Sequence, residues 1–311
     1  MIPWAGRQEQ LNLTYWQRVW ILLYPWLIYM GATWLVLFCF AVRYMLMNPD
    51  AIGGAPTWQD MLLQSERLLA YVDQHYVYIA ILSAAVSLPL FYLFYKKDRQ
   101  KEMREGFVRE QWQPAHPASL PLSLLLGAGA AVTLNHVLIY SGIYDLLIDG
   151  FSDAASVLYQ NQFWLELLGV GIIVPMAEEM LFRGLIYRRI RWQLDAKAAI
   201  PFSAFLFALF HMNLLQGIYA FLIGLLLAFA FERTHNIWVP VLIHVGANIL
   251  SVLLSEISAL QAIYDPANTS LFIGVSLGAM VIFVLVFYVF LTRIHPERMD
   301  EGGAPVPDGL D

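Results

Sequence analysis

The sequence predicts an all-α, polytopic integral membrane protein, and three observations carry that prediction. Apolar residues make up 59% of the 311 and charged residues only 14%, against roughly 45–50% and about 25% in soluble domains. Apolar runs long enough to cross a hydrocarbon core, which takes about 20 residues, recur along most of the chain. The basic residues then fall almost entirely on one side of the membrane that those runs define.

Eight runs are candidate spans: 19–42, 76–95, 119–141, 164–187, 198–213, 215–231, 237–254 and 271–291. The fifth and sixth are short and nearly contiguous. With the N-terminus in the cytoplasm, Arg7 and Arg18 lie inside. So do Lys96, Lys97, Arg99, Lys101, Arg104 and Arg109, then Arg188, Arg189, Arg191 and Lys197, then Arg233, Arg293 and Arg298. Fifteen of the 18 lysines and arginines are thereby inside, and the positive-inside rule places both termini in the cytoplasm. The expected location is a multi-pass position in a cell membrane, in the first instance a bacterial cytoplasmic membrane, with membrane lipids as neighbours.

Between the first two spans, Thr57-Trp58-Gln59-Asp60 matches a capping box before an amphipathic stretch, which predicts a short helix at the outer surface. A second is expected within 145–160. The charged and then Pro-containing segment 103–117 marks the best internal boundary. It divides a two-helix N-terminal unit (1–115) from a six-helix core (116–295). The Gly/Pro/Asp-rich tail (296–311) is expected to be disordered. The polar start of the chain does not read as a signal peptide, and no internal repeat is evident.

Composition also excludes some functions. A formal net charge of −6 gives no basic footprint for nucleic acid. A single cysteine, Cys39, permits neither an internal disulfide nor a thiolate metal site.

Ionisable groups inside spans are costly and mark function by default. They gather in the fourth, fifth and seventh spans. In the fourth, Glu178-Glu179-Met180-Leu181-Phe182-Arg183 puts Glu179 and Arg183 four apart, on one helix face, where they can pair. Glu178 is rotated about 100° away and lacks that counter-ion. A carboxylate so placed suits a general base. In the fifth, Phe207 and His211 share a face; in the seventh, His244 and Asn248 do, with Gly246 and Ala247 keeping the surface small. Each pair alone also reads as a structural contact between helices. Glu178, His211 and His244 are plausible zinc ligands as well, so the need for a metal stays open.

Together, EExxxR, FxxxH and HxxxN on three polar-bearing spans resemble the CPBP family, the CAAX proteases and bacteriocin-processing or self-immunity (Abi) proteins. The resemblance covers roughly residues 164–255. It implies that Glu178 and His211 activate water, that His244 and Asn248 hold the oxyanion, and that Glu179, Arg183 and Phe207 support them. It further implies an intramembrane endopeptidase acting on a membrane-associated peptide: a CAAX-like prenylated tail, a leader peptide or a membrane-bound regulator. The site is expected to open towards the cytoplasm. A non-catalytic adaptor or immunity protein of the same fold is the alternative; a proton-coupled transporter with Glu178 as relay lacks the internal repeats such folds show.

Other motifs are set aside. Gly274-Val275-Ser276-Leu277-Gly278 mimics a nucleophile elbow but lies in an apolar run, where a small-residue packing face is expected. His136 reads as a structural polar contact. Glu166 and Glu256, at outer helix ends, are expected to be solvated, and His235 to lie beside a loop.

Overall fold

The computed structural model describes residues 13–49, 57–104, 119–147, 163–257, 260, 263 and 267–293. Most of the expected outer helix within 145–160, most of the 103–117 boundary and the 296–311 tail lie outside the described residues.

The described residues are helical throughout, without strands. The main elements are α1 (Tyr15–Met47), α2 (Trp58–Gln74), α3 (Tyr76–Arg104), α4 (Ser119–Tyr140), α5 (residues 163–191), α6 (Ala196–Phe210), α7 (Leu214–Thr234), α8 (Trp238–Glu256) and α9 (Thr269–Arg293). Six of them, α1, α3, α4, α7, α8 and α9, are long and apolar enough to cross a membrane. α6, at 15 residues, is apolar but shorter, and α5 carries the charged motif. The chain is therefore a multi-pass membrane protein. Thr57 caps α2 through the expected box with Asp60, and α2 buries no residue.

α5 is a composite. Two π-helical stretches, Gly169–Ile173 and Met180–Tyr187, interrupt it on either side of Val174–Glu179. In the first, the Val174 N–H bonds to Gly169 O, five residues back. Pro175 follows and has no N–H to give, so the next carbonyl at that spacing, Val170 O, loses its helical donor.

Small residues bring the helices together. A Cβ on Gly127 would overlap the backbone of Ile243, and one on Gly246 the backbone of Leu124, so α4 and α8 touch main chain to main chain. Gly224 lets α7 approach α6 less closely, where an added Cβ would lie 3.2 Å from Ala204 and 3.3 Å from the Phe207 ring. Such contacts substitute for a hydrophobic driving force that lipid does not provide. Gly274 and Gly278 of α9 instead meet nothing within 4 Å, so the packing face expected there is unpartnered among the described residues. His136 makes the structural contacts expected of it, to Val132 O at 2.8 Å and Ile263 O at 3.2 Å.

One reading of charge needs correction. Glu166 is fully buried rather than solvated, because α8 packs along that end of α5. Arg188, Arg189 and Arg191, just past the expected end of the fourth span at 187, continue the helix as the last turn of α5 and are buried. Glu102 receives Arg188 and the Trp192 indole, Asp98 receives Arg189 at 2.7 Å, and Glu232 receives Arg191 at 2.9 Å. Arg189 also donates to Ile21 O and Tyr24 Oη of α1, both at 2.6 Å. These bonds gather the start of α1 and the ends of α3, α5 and α7 into one ionic layer.

Candidate active site

α5 and α8 run antiparallel, so residues early in α8 meet residues late in α5. That arrangement brings the histidine of one motif onto the glutamates of another. His244 Nδ1 lies 2.9 Å from Glu179 Oε1, and its Nε2 lies 3.6 Å from Glu178 Oε2. A carboxylate oxygen only accepts, so Nδ1 carries a hydrogen and Nε2 is the nitrogen that faces Glu178.

Glu179 and Arg183 form the expected i,i+4 pair, at 2.8 Å and fully buried. The same Oε1 of Glu179 takes both Arg183 Nη1 and His244 Nδ1. Arg183 also donates to Gly224 O of α7 at 3.1 Å and lies over the Phe207 ring, 4.6 Å from its centroid. Arg183 thus fixes the glutamate that fixes the histidine. Phe207 packs edge-on to both imidazoles, at 4.9 Å from His211 and 5.6 Å from His244.

His211 caps the end of α6. Its Nδ1 is 2.9 Å from Phe207 O, a carbonyl that can only accept, so in the neutral ring Nε2 is left unprotonated. That nitrogen can take a hydrogen bond or a proton. Met212, next in the chain, adopts a positive φ of 52° to turn into α7.

Asn248 departs from the simple picture. Its Nδ2 donates to Val170 O at 2.9 Å, the carbonyl that Pro175 leaves without a helical donor. One amide N–H therefore stabilises the π turn of α5, and the amide has one further N–H to offer.

Glu178, Phe207, His211, His244 and Asn248 line one cavity of about 650 Å³. Glu179 and Arg183 do not line it and sit behind it. Sequence reasoning missed Tyr76, Asn135, Tyr144 and Gln216, which also line it; only their place in the packed bundle reveals them. Among the described residues no three His, Cys, Asp or Glu side chains stand together as metal ligands.

Residues 160–250 match the family model for type II CAAX prenyl endopeptidase, Rce1-like. The match supports the CAAX protease family for this segment. The matched segment spans α5, α6, α7 and most of α8, the helices that carry every motif residue. No curated protein and no solved structure matches the chain.

Proposed function

We propose that this protein is a CAAX-type intramembrane endopeptidase that uses Glu178 and His211 to activate water. The observation that carries the reading is the cavity lined jointly by Glu178, His211, His244 and Asn248, with His244 oriented from behind by Glu179.

In the reaction, water gives a proton to Glu178 while His211 Nε2 accepts a hydrogen bond from the same molecule. The hydroxide adds to the scissile carbonyl carbon. The resulting oxyanion takes hydrogen bonds from the second amide N–H of Asn248 and from His244, which in this role carries protons on both ring nitrogens, Nδ1–H held by Glu179 and Nε2–H turned to the oxyanion. Glu178 then passes its proton to the nitrogen as the C–N bond breaks, releasing an amine and a carboxylic acid. Every step uses groups of this chain and water.

The intact motif set favours an enzyme over a non-catalytic adaptor or immunity protein, which would be free to lose one of these residues. Purified protein in detergent should cleave an internally quenched apolar peptide, and Glu178→Gln should abolish cleavage with melting unchanged within a few degrees. Near-normal turnover by Glu178→Gln would remove Glu178 as the base.

A further inference from the structure

The cavity is built from one end of the bundle only. Its walls are the first residues of α3 (Tyr76, Ala80), the first half of α7 (Leu215, Gln216) and the last half of α8 (Ser251, Ser255). Asn135 and Tyr144, in and just beyond the end of α4, and Val170 and Val174, from the first half of α5, complete it. The ends of α3, α5 and α7 that carry the basic residues are at the opposite pole.

Below the site, that pole is filled. Phe182, Arg183, Ile186 and Tyr187 are buried directly under Glu178 and Glu179. Beneath them lies the ionic layer of Arg188, Arg189 and Arg191 with Glu102, Asp98 and Glu232. The cavity thus extends from the site towards the basic-poor ends of the helices. Basic residues flanking spans are retained on the cytoplasmic side, and the orientation with the N-terminus inside puts fifteen of this chain's 18 there. The two observations combine to a result opposite to the cytoplasmic opening that the motifs suggested.

We propose that the site is reached from the extracytoplasmic face. Its substrate is then an apolar peptide segment presented at the outer leaflet, such as the unwound end of a spanning or lipid-anchored helix, and not a soluble cytoplasmic tail. The wall chemistry suits that substrate. Leu138, Ile139, Val170, Val174 and Phe210 offer apolar contact, and the polar groups that would meet a peptide bond lie at the cavity's inner end.

This inference rests on the endopeptidase reading for its substrate, but its direction can be tested separately. In a Cys39→Ala background, Gln216→Cys reports the cavity and Lys197→Cys the opposite pole. A membrane-impermeant maleimide should label Gln216→Cys in right-side-out vesicles and Lys197→Cys only in inverted ones. The reverse pattern, or labelling of both from one side, overturns the proposal whatever the activity. The second arm uses an impermeant quenched apolar peptide. Hydrolysis in detergent and in right-side-out vesicles, but not in inverted ones, supports outer access; hydrolysis in inverted vesicles alone overturns it. Failure to hydrolyse in detergent sinks the protease reading, and the labelling pattern alone then decides the access.

Discussion

Glu178 and Glu179 are adjacent in sequence and opposite in situation. Glu179 is fully buried and bonded to both Arg183 and His244. Glu178 lines the cavity, with His244 Nε2 at 3.6 Å as its neighbour. Their substitutions should therefore separate. Glu178→Gln should remove turnover and leave stability nearly intact. Glu179→Gln should lower both, since it leaves Arg183 a buried cation without its carboxylate, a change of about 3–5 kcal/mol for buried pairs. Detergent melting beside peptide cleavage measures the two effects; equal stability losses in both variants would refute the assignment.

The Glu179–Arg183 pair was legible because it is local: four residues on one helix share a face whatever surrounds them. The His244–Glu179 bond was not, because it depends on α5 and α8 packing antiparallel at one depth. The sequence placed His244 beside Asn248 as a twin donor. The structure gives each a separate structural partner as well, Glu179 for one and Val170 O for the other.

At the scale of the element, α5 is the informative case. Its π turns and the missing donor at Pro175 make Asn248 part of the helix's own hydrogen bonding. Asn248→Ala should thus cost about 1–3 kcal/mol through the unsatisfied Val170 carbonyl. It should also lose roughly 100–1000-fold in turnover if the oxyanion role holds. Adding Pro175→Ala supplies a backbone N–H to that carbonyl. The double variant should regain melting temperature but not turnover. Recovery of both would show that Asn248 serves only as a clamp. Neither π turn could be read from the sequence, since apolar periodicity tolerates one extra residue, and Gly169, Gly171 and Pro175 each have commoner explanations.

The α4–α8 contact makes a prediction of its own. At Gly246 a Cβ would run into the backbone of Leu124, which cannot rotate aside as a side chain can. Gly246→Ala should push α8 outward, carrying His244 away from Glu179. Melting and turnover should fall together, by more than for Gly274→Ala, whose added methyl meets open space. Equal tolerance at the two positions would contradict the close approach.

Across the whole molecule, the helices and their order followed from hydropathy, because length and apolarity decide what lipid accepts. The depth of the basic residues did not follow. Charge density at 188–191 resembles a loop until Asp98 and Glu102 arrive from α3, some ninety residues earlier. His235 shows the same limit. It ends α7 in a left-handed turn, with φ of 49°, and burial lowers its pKa, opposed by Glu232 and assisted by Arg191. An unfolded histidine binds its proton near about pH 6.5, whereas the folded one binds it only at lower pH. This contribution to stability is complete above that value and is lost as pH falls below it. His235→Asn keeps a residue tolerant of the left-handed turn and has no titration. The wild type should lose more melting temperature than the variant between pH 7.5 and 5.5; parallel losses would mean that His235 is not the sensor.

The ionic layer also sets an order of events in biogenesis. Asp98 and Glu102 leave the ribosome long before Arg188 and Arg189, and they wait at a water-facing helix end where a free carboxylate is solvated. The arginines have no such respite, since the last turn of α5 is enclosed once α3 is beside it. This order predicts that the N-terminal helices act as a template on which the motif helix docks, and that the matched segment does not stand alone. Expressed from residue 116 onward, the chain should be cleared rapidly by quality control. Co-expression of residues 1–115 should restore its level in the membrane, and Asp98→Asn with Glu102→Gln in that partner fragment should abolish the rescue.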